Sequence, residues 1–250
     1  MNDVRQIIAF GGGGFLMEPD NPLLDNFILS RARRARPRIC FAGTASGDPP
    51  TMLTRFYRAF SGRDCIPTDL TLFSSGLMPR RPERTEDIAS FVFEQDIIYV
   101  SGGNTANLLA LWRTHGIDRA IRAAWEAGTV LCGVSAGMIC WFECSVTDSF
   151  GPLAALRDGL GFLPGSACPH YDGDVERRPR FHELIAGGFP AGYAADDGAA
   201  LCFRNTDLDE VVTSRPQAAA YRVALVNGAI VEERLPSRYL GDSSTRSIKP

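Results

Sequence analysis

A chain of 250 residues with 45% hydrophobic and 22% charged side chains is long enough for one large α/β domain that buries about three-quarters of its unfolded surface. Its formal net charge of −3 gives no electrostatic attraction for nucleic acid or an anionic membrane surface, so a small molecule or peptide is the expected partner. The seven cysteines form no CxxC pair and no apolar stretch approaches the ~18 residues of a membrane span; with Met1 to Arg5 leading straight into a strand-like run, the expectation is a cytoplasmic protein with no membrane partner.

In chain order, short β-rich runs alternate with helical patterns. The runs are QIIAF (6–10), PRICFAG (37–43), DLTLF (69–73), DIIYVSGG (96–103), TVLCGVSAG (129–137) and GYAADDGAALCF (192–203). Between them lie amphipathic stretches: Leu23, Leu24, Phe27 and Ile28 follow a start signal at Asp20, Asn21 and Pro22, while Met52, Leu53, Phe56, Tyr57 and Phe60 repeat the helical spacing. Ile117, Ala120, Ile121, Ala124 and Trp125 do so again. Such alternation predicts a mostly parallel sheet with helices on both faces. The segments LDEVVTS and AAAYRVALVNGAIVEERL, the latter turning at Asn227-Gly228, predict an antiparallel appendage with a hairpin on the sheet edge. Residues 1–237 are expected to form one domain and 238–250 a polar tail that frays.

Gly133-Val134-Ser135-Ala136-Gly137 fits G-x-S-x-G, a motif whose small residues let a chain reverse sharply from strand to helix. That turn lifts the serine hydroxyl into a pocket and aims the next amide, that of Ala136, at a developing oxyanion. A serine nucleophile needs a base, and the chain offers three histidines. His115 reads as the end of a helix and His182 as a helical packing or surface residue. His170 closes a strand and opens a loop, where α/β sheets build their sites. Only 35 residues separate Ser135 from His170, too few for the serine–acid–histidine order of α/β-hydrolases, so the orienting carboxylate is expected after the histidine, at Asp196 or Asp197. A second oxyanion donor is expected from SGGNTANLL, where Gly102 and Gly103 precede a helix capped by Asn104 or Thr105. The run GGGG at 11–14 fails G-x-G-x-x-G and is expected instead to approach the same pocket. No HExxH or Cys/His ligand set is present, and neither a metal nor a cofactor is expected.

The segments SGGNTANLL, GVSAGMICWF, PHYDG and ADDGAAL, with FGGGGF and GTASGD before them, together resemble the dipeptidase E (aspartyl dipeptidase) family of serine peptidases, whose wider relatives include the cyanophycinases. The resemblance spans nearly the whole chain. It implies a three-layer fold like that of the class I glutamine amidotransferases, with Ser135 as nucleophile, His170 as base and the amides of Gly103 and Ala136 as oxyanion donors. Relatives often carry glutamate as the third member at the position of Asp197, with Asp196 and Asp148 the other candidates here. The implied substrate is a small peptide with an amino-terminal aspartate, cut after that residue; cyanophycinases instead release β-aspartyl-arginine from a polymer. A cation for the acidic side chain is expected among Arg177, Arg178 and Arg180. Arg180 is the first choice because Pro179 and Phe181 flank it, with Arg178 and Asn104 as further substrate-side residues. Other acyl-hydrolase chemistry and a catalytically silent binding module are the rival readings, and a homodimer is left open.

Overall fold

The computed structural model describes residues 4–73 and 85–242. In chain order its elements are β1 (Gln6–Phe10), α1 (Gly14–Met17), α2 (Leu23–Ser30), β2 (Arg38–Ala42), α3 (Pro50–Phe60), β3 (Ile66–Leu70), α4 (Thr85–Phe93), β4 (Ile97–Val100), α5 (Thr105–His115), α6 (Ile117–Glu126) and β5 (Val130–Val134). They continue with α7 (Ala136–Ile139), β6 (Phe142–Thr147), β7 (Ala154–Leu156), β8 (Leu163–Cys168), α8 (Arg177–Ala186), β9 (Gly192–Ala195), β10 (Ala199–Arg204), β11 (Asp207–Thr213), β12 (Ala220–Val226), β13 (Ala229–Arg234) and β14 (Arg238–Tyr239). Two sheets result. One has the order β14-β11-β10-β1-β5-β4-β2-β3, the other β13-β12-β9-β8-β6-β7.

In the first sheet β1, β5, β4, β2 and β3 run parallel, as the β/α alternation predicts, and β10 and β11 add antiparallel pairing at one side. Side chains alternate across it with the period of two that a strand imposes. Ile7, Ala9, Ile98, Val100, Leu131 and Leu201 face a core shared with α5, α6, α7 and strand β8 of the second sheet. Ile8, Phe10, Ile39, Phe41, Tyr99 and Cys132 face the opposite core, closed by α1, α2 and α3. There Phe15 makes edge or tilted contacts with Phe41, Phe56, Phe60 and Tyr99 at ring-centroid separations of 5.1–5.7 Å, which fixes α1 directly behind the glycine run. A third core lies beneath α8, where Phe181 and Ile185 pack with Tyr171 of the loop after β8 and with Ala194 and Val223 of the second sheet.

The second sheet is the main departure from the sequence reading. The helix after Ser135 is a single turn, and the chain re-enters a strand at Phe142. The run GYAADDGAALCF is two strands, not one: β9 belongs to the second sheet, β10 to the first, and the chain changes sheets at Asp196-Asp197-Gly198. The antiparallel appendage is likewise divided, β11 pairing with β10 while the β12–β13 hairpin, turning at Asn227-Gly228 as expected, joins β9. DLTLF is displaced: the strand runs from Ile66 to Leu70 at the sheet edge, where Pro67 is tolerated, and it stops because the amides of Leu72 and Phe73 turn onto the Asp48 carboxylate. At the start of the expected tail, Arg238 and Tyr239 pair with Val212 and Thr213 rather than fray; residues from 243 onward lie outside the described part. All seven cysteines are buried and unpaired. Among the described residues no helix is long and apolar enough to cross a membrane.

Candidate active site

The carboxyl ends of β1 and β5 lie side by side, Phe10 opposite Val134, and the Ser135 amide donates to the Phe10 carbonyl at 3.2 Å. This holds Ser135 at φ 56°, ψ −110°, a conformation disfavoured for any residue with a Cβ and costing about 1–3 kcal/mol, which its neighbours must supply. The carbonyl of Ser135 accepts from Met138 and Ile139 at 2.9 and 3.0 Å, closing the one-turn helix α7. The turn requires glycine on both sides, two residues away: a Cβ on Gly137 would lie 2.3 Å from the Val100 carbonyl oxygen, and one on Gly133 would lie 2.5 Å from the Gly137 carbonyl oxygen. Ala136 is the first residue of α7, so its N–H has no acceptor within the helix. The Gly102-Gly103 turn abuts the serine; a Cβ on Gly102 would sit 3.3 Å from that of Ser135. Asn104 caps α5, its side-chain oxygen accepting from the Asn107 amide at 2.9 Å and its amide nitrogen donating to the Ser149 carbonyl at 2.9 Å.

His170 also has a positive φ, 51°. Its Nδ1 lies 2.6 Å from Oδ1 of Asp197, and both side chains are mostly buried. The bond assigns the proton to Nδ1 and leaves the Nε2 lone pair available. That hydrogen bond is the largest influence on Asp197 and holds its carboxyl below the usual range; burial opposes it, and Arg215 and Arg177 add to it. The loop from the end of β1 joins this pair to the serine. Gly12 bridges Asp197, the Gly198 amide donates to the Gly12 carbonyl at 2.9 Å, and a Cβ on Gly12 would fall 1.9 Å from Asp197 Oδ1. Among the described residues Ser135 Oγ and the His170 ring share no hydrogen bond; such contacts commonly tighten only when substrate is bound.

Gly12→Ala is therefore expected to give a folded protein in which the Asp197 carboxylate is displaced from His170. Turnover should fall about 10²-fold, the usual effect of an ångström-scale misplacement, and the low-field proton resonance of the His170–Asp197 bond should disappear from the NMR spectrum.

The other two acids are engaged elsewhere. Asp196 is buried, its Oδ2 accepting from the Ala219 amide at 2.9 Å, and burial, reinforced by Asp172, pushes its carboxyl up to about 6. Asp148 faces Arg177 at 3.5 Å. Of the three arginines, Arg177 is the most enclosed and also pairs with Asp174 at 3.2 Å. Arg178 pairs with Glu232, and Arg180 donates to the Leu153 carbonyl and pairs with Glu183. Neither Arg178 nor Arg180 is ion-paired or hydrogen-bonded to Ser135, His170 or Asp197. His115 ends α5 and His182 lies on α8, as the sequence suggests. Sequence reasoning passed over Asp172, whose Oδ1 accepts the Asp197 amide at 2.8 Å, and the Arg215–Glu18 pair beside Gly198. Asp172 stands two residues after His170 in the quoted PHYDG, the one available signal. Among the described residues no group of three or more His, Cys, Asp or Glu side chains is placed to hold a metal ion.

A strained serine after a parallel strand, with a histidine–carboxylate pair held across a glycine loop, supplies the residue types that acyl transfer through a serine would need. Among solved structures, the chain resembles a peptidase from an acI-B1 Actinobacterium, at a TM-score of 0.70 and 17% identity over 94% of this chain and 96% of that one. It also resembles a putative peptidase E protein from Listeria monocytogenes EGD-e, at a TM-score of 0.57 and 16% identity over 93% and 100% of the respective chains. In sequence it is 54% identical over 239 residues to the uncharacterized peptidase YgaJ of Bacillus subtilis (strain 168), covering 95% of this chain and all of that one. The sequence pattern of peptidase family S51 matches residues 7–211. On these grounds the chain is a peptidase and belongs to family S51.

Proposed function

We propose that the chain hydrolyses short peptides carrying a free amino-terminal aspartate, cutting after that residue through Ser135, His170 and Asp197. His170 Nε2 takes the proton from Ser135 Oγ as the hydroxyl attacks the scissile carbonyl, while the amides of Ala136 and Gly103 hold the oxyanion. The protonated imidazole then delivers that proton to the leaving amine, and an acyl-enzyme remains. Water, activated by the same imidazole, attacks the ester and releases aspartate with the serine restored. Asp197 stays ionised throughout, keeping the ring oriented and balancing its transient positive charge. The observation that carries this reading is the 2.6 Å His170–Asp197 bond, tied through Gly12 to the end of β1, whose Phe10 carbonyl accepts from the amide of a serine at positive φ.

An acidic side chain at the first position calls for a cation near the elbow, and the arginines after His170 are the proposed source. Arg180 keeps a terminal nitrogen without a partner among the described residues, and its side chain is about one-third exposed. A charge-assisted contact of this type contributes roughly 2–4 kcal/mol to transition-state binding. Wild type and Arg180→Met are to be compared on Asp-Leu and Asn-Leu. The wild type is expected to favour aspartate, and the variant to lose about 30- to 1000-fold in kcat/KM on Asp-Leu alone. No preference for aspartate in the wild type would reject the substrate; an undiminished preference in the variant would reject Arg180. Hydrolysis of esters or of aspartyl-arginine isopeptides with no turnover of dipeptides would assign the same centre to another acyl group.

A further inference from the structure

The residue after the base carries a polar cluster that the reaction above does not use. Tyr171 is buried, and its hydroxyl donates to Glu232 Oε2 at 2.6 Å. His182 Nε2 lies 2.8 Å from the same carboxylate oxygen and 3.0 Å from the phenol oxygen. Arg178 pairs with the other oxygen of Glu232 at 3.3 Å and lies over the rings of Tyr171 and Tyr221, 4.7 and 4.9 Å from their centroids. The backbone is fastened as well, with the Tyr171 amide donating to the Ala195 carbonyl at 3.1 Å and the Asp174 amide to the His170 carbonyl at 3.1 Å. Three elements thus converge on one phenol: the loop after β8, helix α8 through Arg178 and His182, and strand β13 through Glu232.

We propose that Tyr171 is a positioning residue for His170, clamped by Glu232, His182 and Arg178 so that the imidazole keeps its reach to Ser135; this rests on the serine mechanism proposed above. The physical reason is the backbone of His170. At φ 51° the residue sits in a conformation that relaxes unless its surroundings over-determine it. The bond to Asp197 fixes the ring at one atom only. The phenol anchors the adjacent residue through Glu232 and His182, a set of partners separate from Asp197, so ring and backbone are held at two points. A hydroxyl in this buried place is satisfied by a charged acceptor, which makes the anchor stronger than a neutral hydrogen bond.

The test compares wild type, Tyr171→Phe, Glu232→Gln and Ile185→Val, the last packed in the same apolar cluster as Tyr171 but taking part in none of the clamp's hydrogen bonds or ion pairs. Fluorophosphonate labelling rate and Asp-Leu kinetics are read well below each unfolding temperature. Tyr171→Phe keeps the ring and is expected to slow labelling and lower kcat by about 10-fold with KM within twofold, because the loss is one of orientation. Glu232→Gln should follow it in direction, and Ile185→Val should lower only the unfolding temperature. Wild-type rates in Tyr171→Phe overturn the proposal, as does an equal slowing in Ile185→Val, which would mark the effect as general loosening. A wild type that neither labels nor turns over overturns the serine mechanism, and the proposal with it.

Discussion

Ser135→Ala is expected to lower peptide turnover by about 10⁶-fold while the protein unfolds at nearly the wild-type temperature. The magnitude follows from the role: without the hydroxyl there is no acyl-enzyme, and members of such a centre act as a unit, so their losses do not add. The preserved fold follows from the geometry. Alanine has the same Cβ as serine and can be held at φ 56° by the same bonds, from the Ser135 amide to Phe10 and from Met138 and Ile139 to its carbonyl. Ser135 Oγ has no hydrogen-bond partner among the described residues, so its removal strands no buried group. Initial rates on Asp-Leu and a thermal melt check both halves. Turnover within 100-fold of wild type would mean that the serine is only a tight-turn residue.

Asp197→Asn is expected to cost on the order of 10⁴-fold in kcat, since an amide in this place favours the wrong imidazole tautomer and cannot balance the imidazolium. Asp196→Asn and Asp148→Asn, whose carboxylates meet Ala219 and Arg177 instead of His170, should each cost far less; a larger loss from either would reassign the third member. The same substitution has a signature in stability. The native carboxyl of Asp197 is held below its ordinary value by the His170 bond, so its stabilising contribution is present above the unfolded pKa of about 3.9 and fades as pH falls through the lower native value. The gap in unfolding temperature between wild type and Asp197→Asn should therefore be wide at pH 6, begin to shrink only below about pH 3.9 and close once the pH is under the lower native value. A gap that widens on acidification would contradict the assignment of the bond.

Most of the parallel half of the fold was legible because β1, β2, β4 and β5 are short, apolar and alternate with helical patterns, while β3, with Pro67 and Asp69 in it, was misplaced by a few residues. Ser135 stood out for a similar reason: Gly137 is small because β4 passes close behind, where an added Cβ would lie 2.3 Å from the Val100 carbonyl oxygen, and Gly133 because Gly137 folds back over it, at 2.5 Å. The second sheet was not legible. After Ser135 the apolar run MICWF has no period to separate one helical turn from a strand, and only its pairing with β8, itself some twenty residues on, decides the matter. Asp196 and Asp197 look equivalent as neighbours in one run. They diverge because the chain changes sheets there, sending one side chain to the Ala219 amide and the other to His170. The clamp on Tyr171 draws on Glu232, 61 residues away, and no local pattern announces a contact of that span.

The central claim, that Ser135 is a nucleophile activated by His170, is tested most directly by mapping a fluorophosphonate adduct with tandem mass spectrometry on wild type, Ser135→Ala and His170→Ala. The account predicts one adduct in the wild type, on the peptide containing Ser135, none in Ser135→Ala, and labelling slowed by orders of magnitude in His170→Ala. An adduct on another residue, or peptide hydrolysis by a wild type that never labels at Ser135, would contradict it.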